Sequence, residues 1–302
     1  MGLLNPLIAV AAAFCFLGML LYKRVNLSIT LNATALFLAL LAVDWNEIPN
    51  IINSTINLSS LEGQLTVSVV LSTFGIMWLS ELYKDTGAIM ELSESISGIV
   101  RNPKMVLGLL PAIIGLLPVA GGALMSAPIV EAEARKLDIE PDKQAYVNIW
   151  FRHLILPIYP LSPFLIITAA LTGTAASAII TRQLPIVAFM ITVGYLTGLW
   201  RVRNKSNHQS HSNKASNFSM FIKAFSPIMA TIIGAILISS LNYDLSRRGV
   251  DVLIATFAGI GVIAISYKSS LKTFVAPLRK ISVYQIAFAA YGAFLLRSFI
   301  IA

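Results

Sequence analysis

The sequence predicts an all-α polytopic membrane protein, with about eight or nine transmembrane helices and one re-entrant hairpin. Three observations predict it. Of 302 residues, 57% are hydrophobic and only 12% charged, with a mean hydropathy of +0.79, outside the usage of soluble domains. Apolar runs of spanning or near-spanning length recur at 3–22, 27–43, 65–82, 184–200, 225–241, 252–267 and 286–302. Two further apolar regions, 105–134 and 146–172, are broken by glycine and proline.

The first run has no basic stretch ahead of it, so it reads as a retained span and not a cleaved signal. Cys15, the single cysteine, lies inside that run, which excludes a disulfide framework and a cysteine metal cluster. The net charge of +8 does not point to nucleic acid, because the basic residues fall in short loops between apolar runs. Lys23 and Arg24 follow the first run, whereas 44–64 carries Asp44, Glu47 and Glu62 with no basic residue. The loop 201–224 holds Arg201, Arg203, Lys205, Lys214 and Lys223, and 268–280 holds Lys268, Lys272, Arg279 and Lys280. Neither contains an acid. The positive-inside rule therefore sets these loops in the cytoplasm and the N-terminus outside. His208 and His211 sit in the polar 201–224 loop and read as solvated. Segment 83–104 reads as an amphipathic helix lying in the cytoplasmic interface.

Parity decides how 105–134 is read. The third run leaves the chain on the cytoplasmic side, and 201–224 is cytoplasmic too, so an even number of crossings separates them. The 146–172 region and the 184–200 run supply two. A full crossing at 105–134 would make the count odd. Residues 105–117 and 123–134 are each too short to span at about 1.5 Å per residue, so the region reads as a hairpin that enters and leaves on one side. Its tip is GLLPVAGGALMSAP, Gly115–Pro128. Irregular backbone at membrane depth is tolerated only where protein buries it or water reaches it, which is how transporters build sites from half-helices. Gly121 and Gly122 admit either a substrate or a close helix neighbour.

The second informative stretch is NIWFRHLILPIYPLSP, Asn148–Pro163. Asn148 and Arg152 are four apart and share a helical face, with His153 alongside. Pro157, Pro160 and Pro163 break the helix beyond them. Arg152 reads either as an anion-binding group or as an interfacial arginine reaching lipid phosphate. Glu131 and Arg135, four apart, belong to a mixed-charge helix end, with Glu131 close behind Pro128. Substrate contacts are expected from Pro118, Gly121, Gly122, Ser126 and Pro128 in the hairpin, from Asn148 and Arg152, and from Thr172 beyond the broken span.

GLLPVAGGALMSAPIVE followed by NIWFRHL…PIYPLSP resembles the DUF401 integral membrane family, which is similar to the ion-transporter superfamily of citrate, dicarboxylate and arsenite permeases. The resemblance implies two five-span repeats of inverted topology, each with a re-entrant hairpin, and an elevator-type movement of the hairpins. Ala120 departs from the proline expected before the two glycines. Relative to that pattern, 1–200 forms a first repeat with its hairpin, 201–224 a basic cytoplasmic linker and 225–302 an incomplete second repeat. The chain thus reads as C-terminally truncated, with no second hairpin motif after residue 225.

The function expected is a secondary transporter, or the main part of one, for a small anion or carboxylate. Na⁺ or H⁺ is the expected coupling ion, and no other cofactor or metal is expected. Membrane lipid, the anionic substrate and either a second copy or another chain completing the missing half are the expected partners; nucleic acid is not. The alternative is a non-transporting scaffold, an assembly subunit or a degenerate paralogue. An enzyme is not expected, because no Ser/His, metal-binding or paired intramembrane aspartate motif is present.

Overall fold

The computed structural model describes residues 5–100, 102–117, 122–202 and 214–302, all helix and connection with no strand among them. Local signals set the helix starts. Asn5 caps α1 (Pro6–Tyr22) by accepting from the Leu7 amide, and Asn26 does the same for α2 (Leu27–Ala42). A short helix, α3 (Ile48–Ile56), fills the acidic loop, and Ser60 caps the long α4 (Leu61–Asp85). Gly87, at φ +76°, makes the left-handed turn into α5 (Ala88–Ile99). Then come α6 (Pro103–Gly115), α7 (Gly122–Arg135), α8 (Pro141–His153) and α9 (Pro163–Thr172). Next is α10 (Ala176–Gly194), which runs on through a π-helical turn, Tyr195–Leu199. The C-terminal part holds α11 (Lys214–Leu241), α12 (Tyr243–Arg247), α13 (Val250–Ser266), α14 (Leu271–Val275) and α15 (Ile281–Ile301).

Four of these helices are long and apolar enough to cross a membrane, and five shorter ones are apolar. The protein is thus an all-helical membrane protein. Its centre is α4, with 67% of its apolar window buried; α10, at 6%, is left almost bare for lipid. The scaffold wraps α4 with α13 and α15, then α11 on α13 and α2 on α15. Apolar attraction between helices is absent in lipid, so close approach has to come from small residues and polar contacts. At Gly259 of α13, an added Cβ would lie 2.0 Å from Thr231 Oγ1 and 2.8 Å from the Pro227 carbonyl of α11. At Gly292 of α15, it would lie 2.7 Å from Asn32 Nδ2, whose amide donates to the Phe288 carbonyl at 2.9 Å. Pro227 inside α11 removes one backbone donor, and the Ser226 hydroxyl supplies a replacement to the Lys223 carbonyl at 2.9 Å. One turn away the buried Tyr83 hydroxyl donates to the Ala224 carbonyl at 2.8 Å, pinning α4 to α11.

Basic residues gather with their partners at one end of this scaffold. Lys280, just before α15, bridges Asp85 at 2.7 Å and Glu81 at 3.0 Å on α4, and Lys84 holds the other Glu81 oxygen at 2.9 Å. Lys223 of α11 pairs with Glu91 of α5 at 3.1 Å, and Tyr267 donates to the same carboxylate at 2.8 Å. Burial opposes the Lys280 charge, but the hydrogen bonds to Asp85 and Glu81 outweigh it and hold its pKa above the ordinary lysine value.

Two expectations change here. Segment 83–104 is only in part the amphipathic helix expected: residues 83–85 end α4, and α5 turns Ile89, Leu92, Ser95 and Ile96 onto α11, α6 and α4. Its apolar face has protein to cover, so it need not seek lipid. The basic stretch 201–224 is not all linker either, since α11 begins at Lys214; residues 203–213, with His208 and His211, lie outside the described residues.

Gly259→Val should lower scaffold stability by about 1–3 kcal/mol through overpacking. Gly261→Val, where nothing lies within 4 Å, should leave the melting temperature unchanged, and differential scanning fluorimetry in detergent compares the two. Lys280→Met should lower the melting temperature at neutral pH. Because the folded-state pKa is raised, the lysine's contribution is full below the ordinary lysine pKa and is lost as pH climbs through the raised one. The wild-type and variant curves should therefore converge only at strongly alkaline pH.

Candidate functional site

Helices α6 and α7, six residues apart in sequence, pack on each other. At 13 and 14 residues they are about 20 Å long, too short to cross a hydrocarbon layer of about 30 Å. Helix α8 lies across both. The crossing with α6 depends on Gly115, where an added Cβ would fall 2.2 Å from the Arg152 carbonyl oxygen. That approach carries the Arg152 side chain under the end of α6, where its Nη2 donates to the Leu117 carbonyl at 3.2 Å. The last carbonyls of a helix lack intrahelical donors and carry the negative end of its dipole, so the guanidinium fits there.

Arg152 is 8% exposed, and its Nη1 has no hydrogen-bond partner. None of the ion pairs among the described residues includes it. A buried cation whose Nη1 donors are idle is costly unless something anionic meets it. Beside it, the buried Ser126 hydroxyl of α7 donates to Asn148 Oδ1 of α8 at 2.5 Å. Arg152 and Asn148, one turn apart on α8, thereby grip both arms of the hairpin.

The chain after α8 packs on the end of α6 as well. Pro157, Pro160 and Pro163 keep 154–162 out of a helix, and α9 restarts at Pro163. Tyr159 and Leu161 pack in one buried cluster with Leu116 and Leu117. Ser162, at the N-cap of α9, is fully buried, and its hydroxyl neither caps the helix nor finds another partner.

The family described as Protein of unknown function (DUF401) matches residues 7–294, nearly the whole chain. The chain belongs to DUF401. No curated protein matches it in sequence.

Of the residues expected to bind substrate, the DUF401 fold brings Ser126, Asn148 and Arg152 together, and Gly122 opens α7. Pro118 and Gly121 lie outside the described residues. Pro128 is exposed and lines a groove of about 560 Å³ between α5, α7 and α11, away from Arg152. Thr172 is exposed at the opposite end of α9 from Ser162, donating to the Thr168 carbonyl at 2.7 Å. Neither belongs to the Arg152 cluster. The arginine does not reach for lipid phosphate either, since it is buried on the α6 end. His153 stays exposed beside the Ile149 carbonyl at 2.6 Å, and Glu131 forms a surface pair with Arg135.

Three contributors were not foreseen: Ser162, the Leu117 carbonyl and the spacer role of Gly115. Ser before Pro163 carries the N-cap and first-turn proline signature, which marks a helix start that could have flagged Ser162. The other two depend on how α6 meets α8, which no local pattern encodes. Gly115→Ala should cost about 1–3 kcal/mol, because the Cβ meets backbone and cannot be accommodated by a rotamer change. A thermal-denaturation scan of DUF401 protein in detergent checks this, with Gly18→Ala, in open space, as the neutral comparison.

Proposed function

We propose that this chain is a secondary transporter, or the larger part of one, for a small anion or carboxylate. The observation that carries this reading is Arg152, buried beneath a helical-hairpin tip with a free Nη1 and no acidic partner among the described residues. The Leu117 carbonyl uses Nη2 alone, so the remainder of the buried charge costs stability until an anion meets it. Gly121, Gly122 and Ser126 would form the wall against which the anion rests, and Arg152 would neutralise it. Na⁺ or a proton would serve as the coupling ion.

The basic clusters at one end of the scaffold support an orientation with loops 201–224 and 268–280 in the cytoplasm and the N-terminus outside. Under the same reading the hairpin and α8 move as a unit past α4, α11, α13 and α15. A relation to the ion-transporter superfamily would then call for a second hairpin unit, from another copy or another chain, to complete the site.

Arg152→Gln separates this role from a structural one. The variant should keep or raise the melting temperature of the empty protein, since a buried uncompensated charge is gone. It should also lose anion uptake into proteoliposomes. A variant that transports normally, or that simply unfolds while Arg152→Met does the same, would remove the transport assignment.

A further inference from the structure

We infer that the connection between α13 and α15, residues 267–280, is a docking surface for anionic phospholipid headgroups; this holds whatever the protein transports. Helix α15 has 21 residues and is about 31 Å long, close to the hydrocarbon thickness of about 30 Å, so the chain just before it lies at a boundary between hydrocarbon and headgroups. The side chains there fit such a boundary and neither of the phases beside it. Leu271 is 83% exposed and Ile281 74%, with Val275 exposed as well, a poor arrangement for water. Lys268, Lys272 and Arg279 are exposed alongside them, which hydrocarbon would penalise. Apolar side chains sunk into the acyl boundary, with basic ones at headgroup level, are the pattern of an interfacial segment.

The charges decide which headgroup. None of the ion pairs among the described residues includes Lys268, Lys272 or Arg279. The segment packs on α4 and α15. Helix α15 has no acid, and the acids of α4 are engaged: Glu62, at the far end, by Arg297, Glu81 by Lys84 and Lys280, and Asp85 by Lys280. Asp251 lies at the opposite end of α13. On α5, Glu91 is held by Lys223 and Tyr267, and Glu94 lines the groove toward α7. Residues 252–302 contain no Asp or Glu, and neither do 1–4, 101, 118–121 or 203–213. Three positive charges thus stand at this surface with no acid of the elements packed on it to balance them. A zwitterionic headgroup brings as much positive charge as negative. An anionic phosphodiester brings surplus negative charge, worth about fivefold in affinity per basic residue.

The surface is also held in place by the scaffold. Trp78 of α4 donates from Nε1 to the Phe274 carbonyl at 3.0 Å, and its ring meets the Phe274 ring at 4.8 Å. Ser270 caps α14, its hydroxyl accepting from the Thr273 amide at 3.2 Å. Lys280 ties the end of the segment to Glu81 and Asp85. The basic residues are therefore presented on fixed backbone, which lowers the ordering cost of binding, and a headgroup bound there is linked to the central helix α4.

The test titrates the full chain in detergent with dioctanoyl phosphatidylglycerol, dioctanoyl phosphatidylcholine or inorganic phosphate. Bound lipid is counted by native mass spectrometry, and stability is followed by thermal shift. Phosphatidylglycerol should bind with an apparent Kd about tenfold or more below that of phosphatidylcholine, and the gap should narrow as salt is raised. Inorganic phosphate, which lacks acyl chains, should give no shift. The triple variant Lys268→Gln/Lys272→Gln/Arg279→Gln should erase the gap. Lys272→Gln alone should cost about fivefold, and serves if the triple variant does not fold. Arg182→Gln/Arg247→Gln, which removes two exposed charges on α10 and α12, should keep the gap. Equal binding of the two lipids, a gap that survives the triple variant, or one lost in the α10/α12 variant would overturn the inference. So would stabilisation by inorganic phosphate at the concentrations at which phosphatidylglycerol acts.

Discussion

The hydrogen bond from Arg152 to the Leu117 carbonyl ties together the parts of this molecule that could not stand alone in lipid. Helix α6 ends with carbonyls that have no intrahelical donor. The guanidinium supplies one. It reaches that position because Gly115 lets α8 lie directly on α6, and it stays because Ser126 and Asn148 fix the second arm of the hairpin to α8. The residues after α8 then pack against Leu116 and Leu117 through Tyr159 and Leu161. A break in the backbone thus becomes a buried polar cluster with one unused donor, Nη1.

The scaffold around it answers the same solvent differently. With lipid as apolar as leucine, α4, α11, α13 and α15 are held by small residues at their crossings and by hydroxyls that return their protons to backbone carbonyls. Thr231 to Pro227, Ser80 to Ile76 and Thr256 to Val252 are of this kind. Salt bridges collect at the ends, where water screens them and their individual worth is small. Arg152 is the contrast: it is the cation left buried without an acid among the described ion pairs, in the half of the molecule built from broken helices. Its Nη2 serves the end of α6, and its Nη1 is left over.

Much of the helix layout was legible in the chain. Asn5, Asn26, Ser60 and Asn102 are residues of the helix-capping type, and the structure starts a helix after each. The stretches 105–117 and 123–134 read as two segments too short to span, and the short helices α6 and α7 occupy them. The pairing of Asn148 with Arg152 followed from a spacing of four. Less legible were faces and neighbours. Segment 83–104 looked like a lipid-lying helix because its pattern is amphipathic, and nothing local said that α11 and α6 would cover its apolar side. Pro128 and Thr172 looked like site residues from proximity in sequence, and the turns of α7 and α9 carry them elsewhere.

The sequence by itself determined that the chain lives in a membrane, where its helices begin and break, and that Arg152 stands beside a break. Those are questions of water against hydrocarbon, and of which residues tolerate a helix, which single residues answer. Only the tertiary structure decided which helix faces meet protein and which meet lipid, that Gly115 spaces α6 from α8, and that Ser162 and Arg152 are enclosed with donors to spare. In a chain this apolar, lipid and protein select the same side chains. A hydrophobic pattern cannot tell one from the other, and the choice is made by contacts between segments far apart in sequence.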